Sequence, residues 1–439
     1  MAGLEPLTIT AIMFASMLVL MAMGAPLTFA LMISGMGSAF LMFGPGGLDL
    51  LLASAYGAMD NFLLVSLPLF IFMGLVLERS GITDDLFEMI HKLMGGVPGG
   101  LGVGTVLVCA LIAAMAGVSG AATVSLGIIA LPAMLKRGYE KRLVTGTIMA
   151  GGALGFLIPP SVLMIIYAFL SRDSVGKLFA AGLVPGLMLA GIYILYILVR
   201  CRLRPEMGPP APPEERYGLV DRLKALRYLI APGLLVVTVL GCIIGGVTSP
   251  SEASAIGAAG ALLIPWLRGR ASWKLLRYAM LSTTKITGML LWIAIAAVFF
   301  SKIYVGLGAG MVVSEMIEDY ALSPYAVIIA MLASYFLLGM FLDDFAIIFI
   351  TVPLYVPIVS DLGFDTTWFA VLFILSMQSA YLTPPFGYNL FYMRSVAPSH
   401  ITIVDIYRSA LPFVMLQVIG LALIVAFPQI ALWLPNQLF

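Results

Sequence analysis

Apolar residues come in long unbroken runs separated by short polar stretches. A helix needs roughly 20 apolar residues to cross a bilayer. Runs of that kind fall near 7–23, 26–43, 62–79, 178–200, 227–247, 251–267, 284–301 and 407–433, and each predicts a full crossing. Two longer runs, near 141–170 and 366–393, carry a proline pair midway. Proline removes a donor and clashes with the preceding turn, so these predict crossing helices that open in the middle. Two further runs, near 98–135 and 322–360, are split by glycine or polar residues. Their arms are about 15 residues each, too short for a comfortable crossing. They predict re-entrant helical hairpins, because a non-helical tip at membrane depth is tolerated only inside protein or beside a wet cavity. The amphipathic stretch 83–93 predicts a helix on the membrane surface.

The two halves of the pattern echo each other at an offset of 225 positions. Pro132 matches Pro357, Gly138-Tyr139 matches Gly363-Phe364, Pro159-Pro160 matches Pro384-Pro385, and Tyr167 matches Tyr392. Each half holds five crossings and one hairpin. Five is odd, so the second copy runs upside down relative to the first. Inverted repeats with broken helices point to a secondary transporter whose site lies near the midplane. The expected organisation is repeat 1 over 1–200, a proline- and charge-rich cytoplasmic linker over 201–226, and repeat 2 over 227–439. A short amphipathic arm is expected from near Val220.

Charge orients this scheme. With the N-terminus outside, 20 of the 23 Lys and Arg fall on inside segments; only Arg172, Lys177 and Lys302 fall outside. Asp49, Asp60, Glu315, Glu318, Asp319, Asp361 and Asp365 lie in outside loops. This is the positive-inside pattern, and it puts both termini on the periplasmic side. Composition agrees with a lipid environment: 62% of residues are hydrophobic and 10% charged, and mean hydropathy is +1.09. A net charge of +1 offers nucleic acid no attractive field. Three scattered cysteines and two histidines support neither a disulfide framework nor a zinc site. The start of the chain lacks a basic segment and cleavage site, so its first apolar run is expected to be a retained helix.

Candidate chemistry gathers where apolar runs break. In the first hairpin tip, AGVSGAAT (116–123), glycines permit a sharp reversal and bare backbone. Carbonyls at the end of one arm suit a hard cation such as Na⁺, and the positive start of the next arm suits a carboxylate. A tight contact of small residues is the competing reading. The second tip, GMFLDD (339–344), places two acids at membrane depth. They are either functional or caps of the following helix. The opened helices, GFLIPPS (155–161) and YLTPPFGYN (381–389), free further carbonyls. Na⁺ is therefore assigned to Gly117, Ser119, Gly120, Gly155 and Pro159 in one half, and to Gly339, Asp343, Thr383 and Gly387 in the other. An organic acid anion is assigned to Ser119, Thr123, Ser161, Thr383 and Asn389. Glu252, in TSPSEA (248–253), reads as a helix cap. No GxxxxGK[ST] loop is present, and no nucleophile–base pair or metal set suggests an enzyme. Energy would come from an ion gradient, and the lack of a buried His or carboxylate relay favours Na⁺ over H⁺.

Five segments in order, GVSGAATVSLGIIALPAM (117–134), GGALGFLIPPS (151–161), GVTSPSEASAIG (246–257), GMFLDDFAIIFITVPLYVPI (339–358) and LTPPFGYNLF (382–391), resemble the large membrane subunit of tripartite ATP-independent periplasmic (TRAP) transporters. The likeness covers nearly the whole chain. It implies an elevator-type all-α carrier in a prokaryotic inner membrane, driven by two or more Na⁺. It also implies a periplasmic substrate-binding protein that delivers the solute and a small four-helix membrane subunit, expected here as a separate chain. The expected solute is a C4-dicarboxylate or 2-oxo acid. A free-standing dicarboxylate symporter is the alternative within transporters. A channel or membrane scaffold is the alternative outside them.

Overall fold

The computed structural model describes residues 6–117, 119–212, 217–308, 319, 321–385 and 387–439. Val118 and Phe386, within the quoted motifs, and Glu315 and Glu318, among the outside acids, lie outside the described residues. All assigned secondary structure among the described residues is helical. Seven helices there are long and apolar enough to cross a membrane. The chain is a multi-pass membrane protein.

In chain order the first half contains α1 (Pro6–Ala22), α2 (Leu27–Phe43), α3 (Asp49–Met59), α4 (Ser66–Arg79), α5 (Ile82–Met94), α6 (Gly100–Ala116), α7 (Ser119–Lys136), α8 (Lys141–Ala153), α9 (Val162–Ser171) and α10 (Val175–Leu203). The connector carries α11 (Leu219–Ala225). The second half contains α12 (Arg227–Ile244), α13 (Pro250–Leu267), α14 (Trp273–Gly306), α15 (Pro324–Gly339), α16 (Asp344–Asp361), α17 (Thr366–Ala380), α18 (Tyr388–Val396), α19 (Ile403–Ala426) and α20 (Gln429–Leu438).

Four elements differ from the hydropathy reading. The expected loop after α2 contains α3, whose one charged residue, Asp49, is its first and whose central Ser54 is buried with its hydroxyl donating to the Leu50 carbonyl. The crossing placed at 284–301 starts eleven residues earlier, at Trp273, because its Lys and Arg stay in helix. The last run splits at Phe427-Pro428 into α19 and α20, since proline cannot continue the α19 ladder. The hairpin arms run 16 to 18 residues. Pro132, Pro353 and Pro357 lie inside them, and neighbouring helices make such breaks tolerable in lipid.

Packing divides the helices by burial. Every residue from Thr367 to Ala380 of α17 is buried, as is Leu143 to Ala153 of α8. Helices apolar on all sides suit such a core position. They are wrapped by the hairpins: α6 packs on α8 and α15 on α17, while α7 packs on α18 and α16 on α9. Each second arm thus meets the second piece of the opposite half's broken helix. Around them α4 packs on α13, and α14 lies along α2, α3 and α4. Exposed Leu234 and Val237 of α12 and Trp292 of α14 mark the lipid-facing side of this outer set.

Charged contacts gather at one end of the bundle. Asp85 of α5 pairs with Arg268 and, at 2.9 Å, with Arg270, beyond the end of α13. On the same helix His91 Nε2 lies 2.9 Å from Arg137. Lys141 pairs with Asp405 at 2.8 Å, and the Glu140 N–H donates to the Met207 carbonyl at 3.0 Å. The basic segments at 137–142 and 268–270 therefore share one end. The opposite end holds Asp173, whose Oδ1 accepts from the Thr366 hydroxyl at 3.1 Å. Burial pushes the Asp173 carboxyl above the usual range. Glu252 occupies the capping role, in a reciprocal box with Ser249 at the start of α13.

Candidate functional site

Both broken helices open at their proline pairs. α8 ends in a short 3-10 turn, Leu154–Phe156, and the chain passes cis Pro159-Pro160 before α9. α17 ends at Ala380, and the chain passes cis Pro384-Pro385 before α18. α8 starts at the charged end, beside Asp405, and α9 ends near Asp173 at the other. The break between them is therefore midway in depth.

The first hairpin tip seats on that break. Gly117 takes a left-handed conformation, φ 63°, which glycine adopts without a Cβ clash. Its carbonyl accepts from the Val162 N–H at 3.3 Å. A Cβ at Gly117 would lie 2.8 Å from the Pro160 carbonyl oxygen. Ser119 is the first residue of α7; its side chain lies outside the described atoms. A Cβ at Gly120 would lie 2.7 Å from the Tyr392 ring of α18. Thr123 is buried against α8, where a Cβ on Gly152 would come within 2.1 Å of its hydroxyl oxygen.

The second tip seats on the second break. Gly339 closes α15, and a Cβ there would lie 2.3 Å from the Ala380 Cβ. The adjacent acids separate. Asp343 is the N-cap of α16, and its carboxylate accepts from the Ala346 N–H at 2.6 Å. Asp344 turns inward, is buried, and accepts from the Tyr381 hydroxyl at 2.7 Å.

The breaks also meet each other. Phe156 packs edge-on to Tyr381 with ring centroids 4.7 Å apart. The Asn389 side-chain amide donates to the Met149 carbonyl of α8 at 3.1 Å. Gly155 and Pro159 are buried beside this contact. Through these pairs Gly117, Gly120, Thr123, Gly155, Ser161, Gly339, Asp343 and Asn389 fall in one contiguous neighbourhood. Thr383 faces its own helix end instead: its hydroxyl donates to the Ser379 carbonyl at 2.8 Å.

Main-chain oxygens are less free than the sequence reading assumed. The carbonyls of Gly117, Tyr381 and Thr383 accept from the N–H groups of Val162, Asn389 and Gly387. The tips and breaks satisfy each other where they touch. A carbonyl has two lone pairs, so each of these keeps one for a cation. Several buried side-chain atoms have no hydrogen-bond partner among the described residues, and Ser161 Oγ and Asn389 Oδ1 are two of them; the Thr147 and Ser376 hydroxyls and Gln378 Oε1, farther along α8 and α17, are others. Buried polar atoms are normally paired, and Ser161 and Asn389 border a break. Oxygen donors of this kind fit a hard cation. No group of three His, Cys, Asp or Glu suited to a transition metal occurs among the described residues. The sequence reading passed over Tyr381 as a contact residue. A signal was present, because Phe156 and Tyr381 are themselves 225 positions apart.

The family profile described as "Tripartite ATP-independent periplasmic transporter, DctM component" matches residues 14–430. The chain belongs to this family. It is a large permease subunit of a TRAP transporter. The C4-dicarboxylate TRAP transporter large permease protein DctM of Pseudomonas aeruginosa is 31% identical, over 91% of this chain and 92% of that protein. The ectoine TRAP transporter large permease protein TeaC of Halomonas elongata is also 31% identical, over 98% of this chain and all of that protein. The sialic acid TRAP transporter permease protein SiaT of Haemophilus influenzae is 30% identical, over 87% of this chain and 61% of that protein. Among solved structures, the YdaH transporter of Alcanivorax borkumensis shares the fold, with a TM-score of 0.65 and 14% identity over 90% of each chain. Members of the family with similar identity to this chain thus carry different solutes in their names.

Proposed function

We propose that this permease imports a small organic acid anion, of the C4-dicarboxylate or 2-oxo acid type, in symport with Na⁺ across a prokaryotic inner membrane. Both termini would face the periplasm. The observation that carries the reading is the meeting of Phe156 with Tyr381 while each hairpin tip rests on a break. Residues 225 apart that touch across two opened helices are what an inverted repeat with a central site would produce.

In this reading one cation rests on the oxygens of Gly117, Ser119, Gly120, Gly155 and Pro159, and a second on those of Gly339, Asp343, Thr383 and Gly387. The unpartnered Ser161 and Asn389 oxygens, with Ser119 and Thr123, face the solute or its hydration water, while Thr383, whose hydroxyl is held by the Ser379 carbonyl, offers its main-chain oxygen. The hairpins and broken helices move as one body against the outer helices, in an elevator-type cycle. A periplasmic binding protein supplies the solute, and a small four-helix membrane subunit completes the complex. The two kinds of repeat boundary, 1–200 and 227–439, follow from the same scheme.

The test is uptake into proteoliposomes holding the permease with its small subunit and binding protein. Accumulation against a gradient should collapse without external Na⁺. Ser119→Ala and Asp343→Ala should each raise the Na⁺ concentration needed for half-maximal uptake. Unchanged Na⁺ dependence in both removes those residues from the cation sites. Uptake that needs no binding protein would favour a free-standing symporter.

A further inference from the structure

A small pocket of about 130 Å³ opens at the charged end of the molecule, away from the hairpin tips. Arg142 at the start of α8, Arg200 near the end of α10 and Arg408 in the first turns of α19 all line it, with Glu140, Tyr196 and Phe413. The acids nearby are already engaged. The Glu140 carboxylate accepts from the Leu143 N–H at 3.0 Å. Asp405 is held by Lys141 at 2.8 Å and by its capping box with Thr402, and Arg142 reaches it only at 3.7 Å. Among the described residues, neither Arg200 nor Arg408 has a carboxylate within ion-pair distance. Arg200 instead lies 5.9 Å from the centroid of the Tyr196 ring.

The pocket therefore carries an excess of positive charge from guanidiniums, whose planar forks suit phosphate oxygens. Its other wall is apolar: Tyr196 meets Phe413 edge-on, ring centroids 5.4 Å apart. Just beyond it on α10 and α19, Leu195, Val199, Leu411 and Met415 are exposed, as lipid-facing residues are. A cationic pocket beside exposed apolar side chains fits a phosphate group with acyl chains against those side chains.

We propose that this pocket binds the phosphate group of an anionic phospholipid. The ligand would bridge the start of α8, the end of α10 and the start of α19, and so tie the first half of the chain to the last. The chemistry shared with a soluble source is the phosphate itself, and the experiment separates the two. The proposal does not depend on the solute or on Na⁺.

The full chain, purified in dodecyl maltoside, is unfolded thermally while titrated with dioctanoyl phosphatidylglycerol, dioctanoyl phosphatidylcholine or inorganic phosphate. Phosphatidylglycerol should raise the midpoint saturably, because a ligand bound only by the folded state stabilises it. Phosphatidylcholine should do so far more weakly. The double variant R200Q/R408Q should unfold close to the wild-type midpoint without lipid, since both side chains are exposed and neither has a carboxylate partner among the described residues. Its half-saturating phosphatidylglycerol concentration should rise about tenfold or more, the loss expected for two charge-assisted contacts. If inorganic phosphate alone reproduces the arginine-dependent shift, the phosphate site stands and the lipid source is overturned. If no saturable shift occurs, or if the double variant responds like wild type, the pocket is no phosphate site.

Discussion

The two hairpin tips use one backbone device with opposite chemistry. Each ends in a small residue pressed against a break: Gly117 against Pro160 and Val162, Gly339 against Ala380. The first tip, 116–123, has no ionisable side chain, whereas the second has two acids and draws in Tyr381. The two acids of the second tip do structural work, one capping α16 and one anchoring the tip to the end of α17. The comparison teaches that closeness of tip to break is the common requirement, and that charge is an addition made in one half only.

Overpacking should break the comparison most visibly. A Cβ at Gly152 would meet the Thr123 hydroxyl at 2.1 Å, and also its backbone nitrogen at 3.0 Å and Cα at 3.2 Å. At Gly339 the close contact is the Ala380 side chain alone, at 2.3 Å, with the next atom at 3.8 Å. Both Gly152→Ala and Gly339→Ala should lower stability by about 1–3 kcal/mol, read as a fall in thermal midpoint in detergent. Ala380→Gly should restore most of the loss in the second half. Thr123→Ala should not restore it in the first, because the backbone contacts stay. Equal rescue in both halves would show that the first tip can shift away from α8.

The acids give the next largest effect. Tyr381→Phe removes a donor from a buried carboxyl and should cost about 1–3 kcal/mol. Asp343→Ala removes an N-cap and should cost about 1 kcal/mol. A larger loss for Asp343→Ala than for Tyr381→Phe would reverse the roles that burial assigns to the two neighbours.

Which parts were legible in the sequence follows from physics local to each segment. Proline pairs and glycines announce themselves, so the breaks and both tips could be placed from Pro159-Pro160, Pro384-Pro385, Gly117 and Gly339. The cap at Glu252 was equally local. α3 was not legible, because hydropathy cannot separate a short apolar helix packed along α14 from a loop between crossings. The division between Asp343 and Asp344 was not legible either. Either acid satisfies a capping pattern, and the choice is fixed by Tyr381, 37 positions downstream of Asp344. Carbonyls that the sequence left free found donors across chain, as Gly117 did with Val162, and no spacing rule reports such a contact.

The smallest effect on stability should come from Ser161, which the proposed function turns toward the solute. Ser161 Oγ is buried and unpartnered, so Ser161→Ala deletes a desolvated oxygen without breaking a hydrogen bond. Its thermal midpoint should stay within the range of neutral substitutions, about 0.5 kcal/mol either way. A structural serine would show a loss, because its partner would be orphaned. A ligand-facing serine would show none until ligand is present. The same variant should therefore unfold like wild type in the absence of Na⁺ and solute, yet require more Na⁺ or more solute for half-maximal uptake. A variant neutral in both measurements would remove Ser161 from the proposed site and leave the first break to contribute main-chain oxygens only. The contrast between the two breaks would then be sharper still, because the second has the Asp344 carboxylate held against it by Tyr381.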